Sequence, residues 1–164
     1  MMKKVMVTYA AYNVWANQRY VDCINNMGDE QIHLEIKSSF SSLYKTLLHL
    51  WDVETIWWQR IKLSEQTEWP STNFQGSVLE LTTNLMNQSK QWKEWIDLAT
   101  ETALEHEFIY KNSKKDQFKQ PVYEVLHHLF NHQTYHRGQL STLLKHAGAD
   151  AIPNTDLIAF SRKK

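Results

Sequence analysis

Four glycines, three prolines and one cysteine in 164 residues leave little material for a turn-rich or disulfide-stapled fold. Cys23 has no partner cysteine within the chain, which excludes an intramolecular disulfide and points to a reducing, cytoplasmic setting. Excess charge is missing too. The 18 basic and 18 acidic residues cancel, which argues against a broad electrostatic grip on nucleic acid or on an anionic membrane. The opening stretch MMKKVMVTYAAYNVWANQRY has no apolar run long enough for a signal peptide or a spanning helix, so no membrane association is expected.

What the chain does have is helix-forming material. Leu, Gln, Lys, Glu, Trp and Met dominate, and no repeat or low-complexity tract interrupts them. A single domain over residues 1–164 is expected, large enough for one continuous core. Seven tryptophans are unusual, and Trp57 and Trp58 are adjacent. Neighbours on a helix point about 100° apart, so at least one of these two rings is expected at a cleft or an interface.

The apolar spacing predicts a first helix from Thr8 to about Met27, with Ala11, Val14, Trp15, Tyr20, Val21 and Ile24 inward and Gly28 as a left-handed cap. The Ser-rich stretch Ser38-Ser39-Phe40-Ser41-Ser42 offers N-caps for a second helix running to about Leu63. Ser77 caps a third, Val78 to about Ala99. Alternation through Leu104, His106, Phe108 and Tyr110, followed by the turn-like Asn112-Ser113-Lys114-Lys115, predicts a small two-stranded hairpin. Pro121 suits the first position of a fourth helix that reaches His146 and stops at Gly148. The expected fold is all-α, a four-helix bundle with long crossover connections and a β-hairpin before the last long helix.

Most of the eight histidines need no special role; His33, His106 and His146 read as solvated or hydrogen-bonded side chains. The fourth helix differs, because His128, His132 and His136 recur at four-residue steps, each turned only about 40° from the last. Adjacent members can converge on one ion, whereas the outer two stand about 12 Å apart along the axis. A site here would use one adjacent pair and borrow a third ligand from another helix. His49, set among Leu47, Leu48 and Leu50, is the candidate; the alternative is a buried neutral imidazole bonded to a neighbouring carbonyl or side chain.

The segment VLHHLFNHQTYHRGQLSTLLKHAGADAIPNTDLIAF resembles the C-terminal signature of the DinB/YfiT-like superfamily, through His128, Asn131-His132, His136-Arg137-Gly138-Gln139, Leu143-Leu144, Gly148, Pro153 and Asp156-Leu157. The second-helix segment SSLYKTLLHLWDVETIWWQRI resembles that superfamily's leucine-flanked histidine. The resemblance implies a four-helix bundle, commonly a homodimer. It also implies a divalent metal, zinc or nickel most often and iron or manganese in principle, held by His49, His132 and His136. His128, Asn131 and Asp52 are candidates to orient those ligands, with Glu54 a further one. Both acids otherwise read as solvated helix surface. Tyr12, Trp15, Trp57 and Trp58 are candidate pocket walls, Arg137 a partner for a carboxylate, and Gly138 a point of close helix packing.

Three neutral imidazoles leave part of a divalent ion's coordination sphere open, the arrangement of a catalytic site. Some members of the superfamily are transferases or isomerases acting with low-molecular-weight thiols such as bacillithiol or mycothiol. The resemblance therefore implies a thiol-dependent S-transferase acting on a small electrophile, as in detoxification. Two alternatives stand beside it: a metal-dependent hydrolase, which lacks an HExxH glutamate here, and a non-enzymatic, stress-induced metal-binding protein.

Overall fold

The computed structural model describes residues 1–162. Four long helices carry the molecule: α1 (Met2–Ile24), α3 (Leu43–Ile61), α4 (Val78–Leu98) and α6 (Val122–His146). Shorter elements fill the connections: α2 (Asp29–His33), a 3-10 turn (Pro70–Thr72), α5 (Glu101–Glu105), the strands β1 (Glu107–Lys111) and β2 (Gln117–Pro121), and α7 (Leu157–Ser161). The strands pair antiparallel, with Ile109 opposite Lys119, and form the hairpin that the alternation predicts, although Leu104 lies in α5 and the strand starts only at Glu107.

Local chemistry explains most of the boundaries. Ser42 accepts from the Lys45 amide at the start of α3. Ser77 and Glu80 form a reciprocal capping box at the start of α4. Gly148, with φ of 77°, ends α6 in the left-handed region. Gly28 behaves otherwise than expected: its φ is −70°, and it starts α2 in place of closing α1. The first helix also begins six residues earlier than Thr8. Glu101, from the start of α5, accepts from the Met1 ammonium at 2.7 Å and from the Lys3 amide at 3.2 Å, supplying a cap from the far end of the sequence.

Around the bundle, α1 packs on α4 and α6, and α3 packs on the same two. Contacts rise together along α1 and α6 (Tyr9 with Phe130, Tyr20 with Ser141), so these two run parallel. They also rise together along α3 and α4 (Tyr44 with Gly76, Trp58 with Trp95). The pairs α3–α6 and α1–α4 are antiparallel. Parallel neighbours need a connection as long as the helix itself. The segment 62–77 supplies it, returning along α3 through Glu68 on Gln59, Ser71 on Asp52 and Gly76 on Tyr44.

The core has two apolar halves. Val53, Trp57, Trp92, Leu126 and Phe130 lie in one; Tyr20, Leu47, Leu50, Leu85 and Leu140 lie in the other. Between them along α1, α4 and α6 sit Asn13, Asn17, Ser89 and Arg137, which with Glu54, next to Val53 on α3, form a polar layer. Glu54 is 0% exposed and Asp52 7%, so neither acid lies on a solvated helix surface, and Arg137 is buried as well. Asn13 and Asn17 occupy inward positions of α1, whereas Ala11, Val14 and Trp15 are only half-buried. The adjacent tryptophans divide their packing. Trp57 meets Tyr110 and His128 on the α6 side, and Trp58 stands edge-on to Trp92 of α4.

Candidate metal centre

His49 comes from the middle of α3, and His132 and His136 from successive turns of α6. The antiparallel packing of these two helices brings the three rings together at the level of the polar layer. The Nε2 atom of His132 lies 3.2 Å from Nε2 of His49 and 3.1 Å from Nε2 of His136. One ligand atom from each histidine falls within 4.8 Å of the others, and the group could hold a metal ion. Around an ion with metal–nitrogen bonds of about 2.0–2.1 Å, adjacent ligands stand about 2.9 Å apart at a right angle and about 3.3 Å at a tetrahedral angle. The two separations from His132 fall between these values, so both are compatible with ligands that share one ion.

Neighbouring groups prepare those lone pairs. Gln139 accepts through Oε1 from His136 Nδ1 at 2.8 Å and turns its Nε2 to Ser39 Oγ at 3.3 Å. This arrangement puts the His136 proton on Nδ1 and leaves Nε2 free toward the cluster. Beneath the rings, the Gln133 side chain donates to the Leu50 carbonyl at 2.9 Å, tying α6 to α3 beside two of the histidines. Above them Phe40 stacks on His49 with centroids 4.1 Å apart and meets His136 at 5.5 Å. Among the described residues the buried His132 Nδ1 meets no partner, so packing between the His128 and His136 rings holds that imidazole.

Burial, first of all, keeps these imidazoles neutral. His49 falls to about 4, with the charge of His136 a secondary cause, and His132 to about 3, with His136, His49 and His128 adding. His136 is lowered by burial as well, opposed by its bond to Gln139. Protons therefore compete for these nitrogens only in acid. Metal affinity, followed with a chromophoric competing chelator, is expected to stay flat between about pH 8 and about pH 6. A fall beginning near 6.5 would mean ordinary imidazoles. Since the folded values lie below the 6.5 of a free imidazole, the unfolded chain binds more protons between pH 6.5 and about 4. These histidines thus make the metal-free protein less stable as pH falls through that window.

The other expected site residues are placed differently. Both Asp52 oxygens accept from Ser71, from its amide at 2.9 Å and its hydroxyl at 2.6 Å. Asp52 therefore fastens the crossover segment and does not orient His49. Glu54 faces the polar layer, where it accepts from Asn13, Asn17 and Ser89. His128 stands one turn from His132, with ring centroids 5.8 Å apart, and outside the three-histidine group. Asn131 and His128 line a cleft of about 440 Å³ on the α1 side of α6 with Tyr9, Tyr12, Thr134 and Leu157; none of the three clustered histidines borders it. Trp15 sits against Tyr12 and Phe160, away from the cluster. Sequence pattern assigns no role beside the histidines to Phe40 or Gln139. Gln139, three residues after His136 on one helix, was within reach of helical spacing; Phe40, in an irregular segment, had no periodicity to reveal it.

Gly138 reverses its expectation. A Cβ built there meets nothing within 4 Å among the described residues, so no neighbouring helix demands glycine. Gly138→Ala should stabilise the isolated chain by up to about 1 kcal/mol through helix propensity, read as a higher urea midpoint.

No helix of the described residues is long and apolar enough to cross a membrane. Comparison with known proteins adds lineage. A sequence model described as "DinB family" matches residues 1–163. Protein DinB of Bacillus subtilis (strain 168) is 30% identical over 158 residues, covering 87% of this chain and 86% of that protein. A crystal structure of a DinB-like protein from Bacillus cereus ATCC 10987 superposes with a TM-score of 0.68 at 20% identity, covering 88% of this chain and 91% of the other, and so shares the fold.

Proposed function

The chain belongs to the DinB family, and on that premise we propose that it is a metal-dependent enzyme, a thiol S-transferase of the bacillithiol type, with His49, His132 and His136 as the metal ligands. The observation that carries the reading is the convergence of three Nε2 atoms at 3.1 and 3.2 Å, with the His136 tautomer fixed by Gln139. His49, His132 and His136 would hold a divalent ion such as zinc or nickel, which would supply Lewis acidity that favours the thiolate form of a small thiol. The residues around it do the rest. Phe40 shields one side of the cluster from water, and Gln133 and Gln139 hold the ligand-bearing helix in place. In the transfer, the sulfur forms a bond to the electrophilic carbon of the second substrate. The bond from that carbon to its leaving group breaks, the leaving group keeps the electron pair, and the thiol proton passes to solvent.

Among the described residues no carboxylate joins the histidine group, and Asp52 and Glu54 are both engaged elsewhere. That supports thiol transfer over hydrolysis, which needs a base beside an attacking water. We place the enzyme in the cytoplasm as a homodimer, in keeping with the family resemblance and an unpaired Cys23.

The test uses untagged full-length protein. About one divalent ion per chain is expected, together with consumption of bacillithiol in the presence of monochlorobimane. Turnover should be abolished by chelation and restored by zinc. Metal at full occupancy with no thiol consumed across several electrophiles would sink the transferase reading and leave the metal site standing.

A further inference from the structure

The face of α3 that carries His49 continues through Val53 and Trp57 to Arg60, which lies three turns on and only about 20° away in azimuth. An arginine side chain on a helix leans back toward the N-terminus, here toward the histidines. Its guanidinium carbon stands 4.6 Å from the Trp57 ring centroid and 5.6 Å from that of Tyr110. Trp57 in turn meets His128 at 5.4 Å, and His128 meets His132 at 5.8 Å. An unbroken row of rings therefore leads from the histidine cluster to a cation along the seam between α3 and α6.

That cation lacks a counter-ion. Among the described residues no carboxylate forms an ion pair with Arg60, and its Nε is buried without a hydrogen-bond partner. Neither Glu124 nor Glu65 fills the gap. Glu124 accepts from Gln120 at 3.1 Å, and Glu65 borders the same cleft of about 700 Å³ as Arg60 without pairing with it. Half-burying a guanidinium with an unmatched donor is unfavourable unless something outside the chain completes it. Two aromatic faces hold this one ready.

We propose that Arg60 is an anion receptor for the substrate: it takes a carboxylate of the low-molecular-weight thiol whose sulfur would lie at the histidines. This deepens the thiol reading above and rests on it. The substrate class it selects is a thiol carrying a carboxylate on the order of 10 Å from its sulfur, since Arg60 starts three turns (about 16 Å) beyond His49 and its side chain leans back over about one of them. A bare alkyl thiol does not meet that description.

The experiment uses the full chain loaded with cobalt, titrated with glutathione and with glutathione diethyl ester, whose carboxylates are masked. The sulfur-to-cobalt charge-transfer band reports binding. Wild type should bind glutathione about tenfold more tightly than the ester at low salt, as a charge-assisted hydrogen bond provides. Arg60→Gln should remove that preference without changing cobalt content, melting temperature or the affinity for the ester; Arg60→Lys, which keeps the charge, should retain part of it. Equal affinity of wild type for the two thiols would overturn the role of Arg60 and leave the metal–thiol reading intact. So would an Arg60→Gln protein that weakens both thiols alike, since that marks a structural residue. Cobalt-loaded protein that gives no band with either thiol would remove the thiol reading, and this inference with it.

Discussion

His132→Ala is expected to abolish metal retention, with affinity falling by more than about 100-fold, beyond what loss of a mere orienting partner costs. His132 is the member shared by both short nitrogen contacts, so its removal leaves His49 and His136 facing each other across the space where the middle ligand stood. Thermal unfolding gives the clearest reading. A ligand held at a thousand times its Kd stabilises the folded state by about 4 kcal/mol, and for a domain of this size that raises Tm by on the order of 10 °C. Wild type should show such a rise on adding zinc or nickel, and His132→Ala should show none. The metal-free variant should melt close to the metal-free wild type, because the lost ring is half-buried and its Nδ1 makes no hydrogen bond. Two companions sharpen the test. Gln139→Ala, which frees the His136 tautomer, should weaken binding by about 10–100-fold. His128→Ala should keep the metal. Equal metal retention by His132→Ala and wild type would remove the cluster from consideration as a binding site.

The ligand set could be read from the sequence because its signals are local. A four-residue step on a helix fixes the relation of His132 to His136, and leucines around His49 announce a helix that packs. The helix caps at Ser42, Ser77 and Gly148 were legible for the same reason: each is a short-range hydrogen bond or a single backbone conformation. What stayed hidden depends on distant parts of the chain. The cap on α1 comes from Glu101, and the partner of Asp52 is Ser71 in a connection whose path follows no periodicity. The stripe on α1 holds at Tyr20, Val21 and Ile24 but not at Ala11, Val14 and Trp15, because Asn13 and Asn17 occupy core positions there. An apolar stripe cannot register asparagines whose partners lie on three other helices. Glu54 and Arg137 were obscured in the same way, since each is polar alone and satisfied only in company.

That buried layer yields the second large effect. Arg137→Ala is expected to destabilise the fold by about 3–5 kcal/mol, the cost of removing one member of a buried charged network. Arg137 donates to Asn13 Oδ1 at 2.6 Å, Asn17 Oδ1 at 2.8 Å and Thr134 Oγ1 at 2.9 Å, and its guanidinium carbon lies 5.3 Å from the Tyr12 ring centroid. The two asparagines pass the charge on. Their Nδ2 groups donate to Glu54 Oε1 at 2.8 and 3.3 Å, so Arg137 and Glu54 compensate each other through α1 without touching. Burial drives the Glu54 carboxyl up to about 7, against the donors Asn13 and Ser89, the charge of Arg137 and the donor Asn17. Because that folded value exceeds the 4.5 of a free glutamate, the folded state binds more protons between pH 4.5 and about 7, and Glu54 makes the protein less stable as pH rises through that window. Losing Arg137 withdraws the one cation that favours the ionised form, so the variant should lose stability more steeply toward pH 7 and above. Glu54→Gln keeps an oxygen acceptor and removes the charge, and should relieve part of the damage in the double variant. A coupling of about 0.5–3 kcal/mol between two residues with no direct hydrogen bond would identify the asparagine relay. The layer also stands level with the histidines: Arg137 follows His136 on α6, and Glu54 lies on the His49 helix. A loosened layer should therefore lower metal affinity along with Tm, whereas an equally destabilising cavity at Leu104, in the apolar half beyond the layer, should lower Tm alone. If Arg137→Ala and Leu104→Ala, matched for lost stability, weaken metal binding equally, the layer has no positioning role.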